Sequence, residues 1–274
     1  MLLSKTELRK HQGEGATDLM TMLRNVEISA IDVCNRTCGF CPRSSELYIN
    51  KKEQASLTMI EKIALDLASI NFNGRVSFVG YGEPLLYKNL IKAVSIIRNL
   101  SPTVQWIEVI TNGDYLTIDK ITGLEKAGCT NLIVSMYDGD ISDNIIKLFD
   151  NVDMTLTLND CYNGIPVVNR TDIMKHNLPL NIQRPCYLPF YKMMIDSTGD
   201  AIICSNDWGR HGVIGNVMTQ SIQEIWLSDI IENYRKELQN GNRKNCDPCK
   251  YCDINGLAFG EDSFHAWQMY KKEI

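Results

Sequence analysis

Apolar residues along this chain come in short blocks that switch between two periods. NVEISAI (25–31) alternates as a strand does. LTMIEKIALDLASI (57–70) then spaces its apolar residues as a helix does, behind Ser56 or Thr58 as a cap. The alternation continues. RVSFV (75–79), QWIEVIT (105–111) and NLIVSM (131–136) read as strands, and LIKAVSIIRNL (90–100), TIDKITGLEKAG (117–128) and DNIIKLF (143–149) as helices, with Gly128 placed to end the second of these. DMTLTL (153–158) and GIPVV (164–168) read as two further strands. Short strands alternating with helices predict an α/β fold with a parallel sheet. About 150 residues supply about six βα units, fewer than the eight of a closed barrel. The expectation is an open, partial, TIM-like (β/α)6 barrel.

The pattern changes after about residue 175. YKMMIDSTGDAIIC (191–204) predicts a β-hairpin turning at 197–200, and SIQEIWLSDIIENYRKELQNG (221–241) a long amphipathic helix ended by Gly241. The expected division is an N-terminal extension over 1–24, the barrel over 25–175 and a small C-terminal domain of hairpin plus helix over 176–274.

Composition narrows the function. The chain of 274 residues is 44% hydrophobic and 22% charged, within the ordinary globular range. Its net charge of −5 and scattered cations argue against a nucleic-acid partner. Lys271 and Lys272 read as a solvated tail. With no membrane-length apolar run and no signal peptide in view, a cytoplasmic location is expected, and the ten cysteines are not read as disulfides. The cysteines cluster at both ends: Cys34, Cys38 and Cys41, then Cys186, Cys204, Cys246, Cys249 and Cys252. That distribution points to metal chemistry. Cys129 and Cys161 stand apart and are expected to be buried apolar thiols.

CNRTCGFC (34–41) follows the first strand, and Gly39 and Pro42 argue against a helix there. Structural zinc asks for four ligands, whereas three thiolates on a cubane leave one iron open. This segment resembles the CX3CX2C signature of the radical S-adenosylmethionine (SAM) superfamily, with Phe40 as the aromatic before the third cysteine. The resemblance implies a [4Fe–4S] cluster on Cys34, Cys38 and Cys41 whose open iron binds SAM. It further implies that the 5′-deoxyadenosyl radical released from SAM abstracts hydrogen from a substrate carbon. GYGEP (80–84) resembles the family's GGEP, with Tyr81 in place of the second glycine. Gly80, Tyr81, Gly82 and Glu83 are thus expected at the SAM amino group. There the glycines would allow close approach to the ligand, and Glu83 would accept from the ammonium. Thr111 and Asn112 of TNG, with Ser135, fall where the family contacts the SAM ribose or carboxylate.

The second cysteine group, with GVIGNV and SIQEIW between its members, resembles the SPASM/twitch extension that carries auxiliary iron–sulfur clusters. No cysteine follows Cys252, which implies one auxiliary [4Fe–4S] cluster on Cys186, Cys204, Cys249 and Cys252. A set using Cys246 in place of Cys252 is the alternative, and C-x2-C pairs also suit zinc. Within the superfamily the motifs resemble most the twitch-type aminocyclitol dehydrogenases, which oxidise an alcohol to a ketone. That resemblance implies a sugar- or cyclitol-like substrate, a flavodoxin- or ferredoxin-type electron donor, and Arg170 against the reacting hydroxyl. It breaks at CSNDW (204–208), where an aromatic and an acidic residue meet the amino substrate in those relatives. Ser205 and Asn206 are uncharged, so Asp207 or Trp208 is expected to line the pocket instead. Two other reactions stay open: epimerisation with Cys246, or less favourably Cys161, returning a hydrogen atom, and modification of a peptide. The latter is disfavoured by the absence of room for a leader-binding domain ahead of the barrel.

Overall fold

The computed structural model describes residues 20–139, 141–162, 171, 173–174 and 183–272. Its strands are β1 (Asn25–Ile28), β2 (Arg75–Phe78), β3 (Trp106–Thr111), β4 (Asn131–Met136), β5 (Thr155–Asp160), β6 (Lys192–Ile195), β7 (Asp200–Ile202) and β8 (Val213–Asn216). They form one mixed sheet in the order β5-β4-β3-β2-β1-β6-β7-β8. β1 to β5 pair in parallel, as the alternation of strands and helices predicts. β6, the first strand of the expected hairpin, pairs in parallel with the free side of β1, so the sheet runs on into the C-terminal segment. β7 and β8 continue it antiparallel. The expected strand over 164–168 lies outside the described residues.

Helices α1 (Leu57–Ser69), α2 (Leu90–Leu100), α3 (Ile118–Lys126) and α4 (Asp143–Leu148) follow β1 to β4. Ser56 caps α1 by accepting from the Met59 N–H, and Thr117 caps α3. Gly128, at φ +93°, ends α3 with its N–H on the Glu125 carbonyl. The apolar faces of α1 to α3 pack on Val26, Ile28, Val76, Phe78, Val109 and Leu132. The strands alternate, so Asn25, Glu27, Arg75, Ser77 and Glu108 turn to the other face, where they are also buried. Fully buried parallel strands usually read as continuous apolar runs. Here the alternate positions are polar and meet one another: Ser77 Oγ donates to Glu108 at 2.7 Å and lies 3.1 Å from Asn25 Oδ1.

Three readings change. After α5 (Leu188–Tyr191) and the hairpin, the long helix expected over 221–241 is two, α6 (Ile222–Trp226) and α7 (Asp229–Gln239). The break falls before Ser228, where α7 begins, and the freed Trp226 carbonyl accepts from the buried Arg235 guanidinium at 3.0 Å. Apolar period alone could not report that tertiary cap. Lys271 and Lys272 close a further helix, α8 (Glu261–Lys272), and are not a tail. Phe264 and Trp267 pack edge-on against Phe190, and Lys271 pairs with Glu232 at 2.9 Å. Met22 and Leu23, in the segment read as an extension, are core residues, and Ser263 bonds the Met22 carbonyl. Among the described residues no helix is long and apolar enough to cross a membrane.

Candidate active site

The strand ends β1 to β4 open onto one cavity of about 600 Å³. Cys34, Cys38, Phe40 and Cys41 line it from the loop after β1, and Gly80 to Glu83 from the turn after β2. Thr111 and Asn112 reach it from the end of β3, and Ser135 from β4. Segments far apart in sequence thus meet in one place because a parallel sheet presents its C-terminal ends on one edge.

The cysteine loop is pinned from outside. The Arg36 guanidinium lies between Asp114, at 2.6 Å from its Nε, and Asp138. Asn35 bonds Asp114 and receives the Asn112 amide at 2.9 Å, and Phe40 packs on Tyr137 with ring centres 5.3 Å apart. The Arg36 N–H points at Cys34 Sγ, 3.4 Å away. Arg43 donates to the Asp32 and Tyr81 carbonyls and fixes the far end of the loop. Sequence reading did not assign Arg36, Asp114 or Asp138. The Asp following TNG and the Arg within CNRTC were the available signals.

In GYGEP the glycines allow an approach different from the expected one. A Cβ on Gly82 would sit 2.3 Å from the Ile31 carbonyl oxygen and 2.6 Å from that of Val33. The close contact is therefore with the chain's own backbone just before Cys34, and the Glu83 N–H bonds the Val33 carbonyl. Glu83 accepts from the Leu85 N–H, from Thr111 Oγ1 at 2.6 Å and from the Asn112 N–H at 2.9 Å. Burial pushes its carboxyl above the usual range, against the pull of these donors. It locks β2 to β3 and still faces the cavity. Tyr81 turns its ring away from this turn: 1% exposed, it packs on Trp208, and its hydroxyl donates to the Asp207 carbonyl at 2.7 Å.

Cys186, Cys204, Cys249 and Cys252 line a second, mostly apolar cavity. Burial raises the Cys186 thiol to about 11 and Cys252 to about 12, with neighbouring thiols adding to the rise. Thiols raised in this way need a compensating cation to ionise, which is what iron supplies to thiolate ligands. Two groups already favour charge there. Asn206 directs its backbone N–H at Cys204 Sγ from 3.4 Å, and the Arg243 cation pulls the Cys186 and Cys252 thiols downward. Arg243, unassigned from sequence, also clamps the site by donating to the carbonyls of Arg184, Ile254 and Pro185. Among the described residues no three His, Cys, Asp or Glu side chains converge on a point the size of one ion. A cubane spreads its ligands over separate corners and does not ask for that convergence.

Other expected residues fall differently. Cys246 is buried and lines neither cavity, whereas Cys161 lines the large one beside Asn159. Cys129 is buried, as expected. Trp208 lines the large cavity, while Asp207 is buried below it and accepts from the Gly212 N–H at 2.7 Å. Arg170 lies outside the described residues. Leu188, Asn206 and Ile254 line both cavities and so stand between them.

Comparison with known proteins is consistent with this layout. The radical SAM superfamily model matches residues 28–148, and the model of the SPASM iron–sulfur cluster-binding domain matches 186–253. The S-adenosyl-L-methionine-dependent 2-deoxy-scyllo-inosamine dehydrogenase of Niallia circulans is 30% identical over 235 residues, 83% of this chain and 92% of that protein. The crystal structure of BtrN with AdoMet and 2-DOIA superposes with a TM-score of 0.74 at 28% identity, covering 88% of this chain and 96% of that one. A GTP 3',8-cyclase of Clostridium acetobutylicum is 31% identical over 148 residues, 50% of this chain and 45% of its own.

Proposed function

Because this chain belongs to the radical SAM superfamily and carries a SPASM iron–sulfur domain, we propose that it oxidises an alcohol of a sugar- or cyclitol-like molecule to a ketone. It is a radical SAM oxidoreductase that uses SAM and iron–sulfur clusters. The observation that carries the reaction class is the likeness, over nearly the whole length of both chains, to a SAM-dependent dehydrogenase. The wall of three shared residues between the cavities supports it, since a dehydrogenase needs an electron acceptor close to its substrate. When bound, SAM and its cluster would supply the radical chemistry at the carbinol carbon, and the auxiliary cluster would supply an electron acceptor beside it.

The protein's own part is to hold and to exclude. Cys34, Cys38 and Cys41 would ligate the SAM-binding cluster, and Cys186, Cys204, Cys249 and Cys252 the auxiliary one. Phe40, Gly80, Gly82, Thr111, Asn112 and Ser135 would border SAM, Tyr81 contributing only its backbone there. Arg170 is proposed, on the resemblance alone, to donate to the reacting hydroxyl oxygen and hold it in place, the hydroxyl proton leaving to solvent. A flavodoxin- or ferredoxin-type reductase is the proposed electron donor. The barrel over 25–175 and the SPASM/twitch segment over 176–274 remain the proposed division.

Glu83 gives a test of SAM binding. One carboxylate oxygen takes two of its three internal bonds, leaving acceptor capacity on the other for the SAM ammonium. Glu83→Ala is expected to weaken SAM binding by about 1.5–3 kcal/mol, roughly 10- to 150-fold, with both clusters retained. Equilibrium dialysis measures this. Unchanged affinity would reduce GYGEP to a packing turn.

Reaction type is read in deuterated water. Oxidation gives a product two hydrogens lighter, with no solvent deuterium on carbon, and Cys246→Ala keeps this turnover. The second reading rests on Cys161, whose place on the large cavity suits a hydrogen donor for epimerisation. A product carrying one deuterium, lost in Cys161→Ala, would replace the dehydrogenase by that epimerase.

A further inference from the structure

The large cavity contains a buried cation that the SAM and cluster roles do not use. Lys192, the first residue of β6, lies opposite Asn25 of the neighbouring β1. Its Nζ is 3.1 Å from both carboxylate oxygens of Glu27 and 2.7 Å from Ser205 Oγ. Lys192 is 7% exposed and Glu27 5%, and both line the cavity together with Ser205. The Arg75–Glu108 pair on the same sheet face lines no part of it, so it serves the fold alone. Lys192 is placed differently. It sits one residue from Tyr191, which also borders the cavity, and its partner Ser205 directly follows Cys204.

We infer that the Lys192–Glu27 pair makes this pocket select a neutral, hydroxyl-bearing ring over an amine-bearing one; this rests on the alcohol-oxidising reading above. An ammonium needs acceptors, preferably a carboxylate. Glu27 is the buried acid that lines the cavity beside Ser205's partner, and Lys192 already occupies its ammonium position. A second cation brought there would meet a like charge in a poorly solvated place. The other acids lining the cavity are committed elsewhere among the described residues. Glu83 carries three bonds at the far side, and Asp160 is exposed, with one oxygen accepting from the Tyr162 N–H. Near Ser205 the cavity offers donors instead. The Ser205 hydroxyl accepts from Lys192 and keeps its own proton to give, and the Lys192 ammonium that holds it lines the same wall. Hydroxyl and carbonyl oxygens can accept from such groups, and an ammonium cannot.

The test compares scyllo-inositol with scyllo-inosamine, which differ by a hydroxyl against an ammonium at one carbon. Binding of each is measured by calorimetry to the anaerobic holoenzyme with SAM and no reductant, so that turnover plays no part. The expected result is at least roughly tenfold tighter binding of the inositol. Lys192→Met should bring the amine to equal or tighter binding, because Glu27 then lacks its ammonium partner. The double variant Lys192→Met with Glu27→Gln should lose that gain, and its retained binding of the neutral ring is the control for folding. Tighter binding of the amine by the wild type, no binding of either ring, or an unchanged ratio in Lys192→Met overturns the inference. Selective binding without oxidation on adding reductant removes the dehydrogenase reading and leaves this one. Oxidation of both rings at equal affinity does the reverse.

Discussion

Replacing Cys34, Cys38 and Cys41 together by alanine is expected to abolish SAM cleavage and to lower the iron of anaerobically reconstituted protein from about eight atoms per chain to about four, one cubane of two. The expectation of complete loss rests on chemistry, since alanine offers no ligand and the other cysteine group lines a separate cavity. The loop itself should survive. Its anchors are Arg36 between Asp114 and Asp138, the Asn35–Asn112 amide bond and Arg43 on the Asp32 and Tyr81 carbonyls, and none of them uses a thiol. The variant should therefore fold, keep the auxiliary cluster and fail only at the SAM site. 5′-Deoxyadenosine is measured by chromatography after reduction with dithionite. A triple variant that still releases it would end the assignment of the opening motif.

The paired replacement Cys249→Ala and Cys252→Ala should produce the complementary defect: SAM still cleaved on reduction, and ketone formation reduced by orders of magnitude. These thiols lie behind Leu188, Asn206 and Ile254, and the residues proposed to border SAM lie on the other side of that wall. Iron should again fall to about four atoms, now with the SAM-binding cluster retained. Cys246→Ala is the matched control. Its thiol is buried in the same segment, is raised to about 11 chiefly by burial, and lines neither cavity. Loss of iron in Cys246→Ala, with none in Cys252→Ala, would transfer the ligand role to Cys246. Undiminished ketone formation in the paired variant would remove the auxiliary cluster from the reaction.

Local chemistry carried most of the reading, and its failures share a cause. Ser56, Thr117 and Gly128 bound their helices as their side chains and backbone dictate, because capping depends on neighbours within a few residues. The cysteine spacings and GYGEP were legible for the same reason. The split between α6 and α7 was not, because the group that caps the freed Trp226 carbonyl is Arg235, nine residues on and inside the next helix. α8 was missed because its apolar residues answer Phe190 and Tyr187, far back in the chain.

By itself the sequence determined the α/β alternation, the two cysteine groups and the radical SAM signature, all set by residues close together along the chain. Tertiary structure decided which distant residues share a space. It joined β6 to β1 and so set Lys192 against Glu27, 165 positions apart, on the wall of the cavity. It placed Cys246 off both cavities and Cys252 on the second, a choice the equal C-x2-C spacings left open. It also turned Tyr81 from the SAM side toward Asp207. Burial and pairing belong to the packed sheet, and a lysine or tyrosine reads the same in sequence whether water or a carboxylate lies beside it.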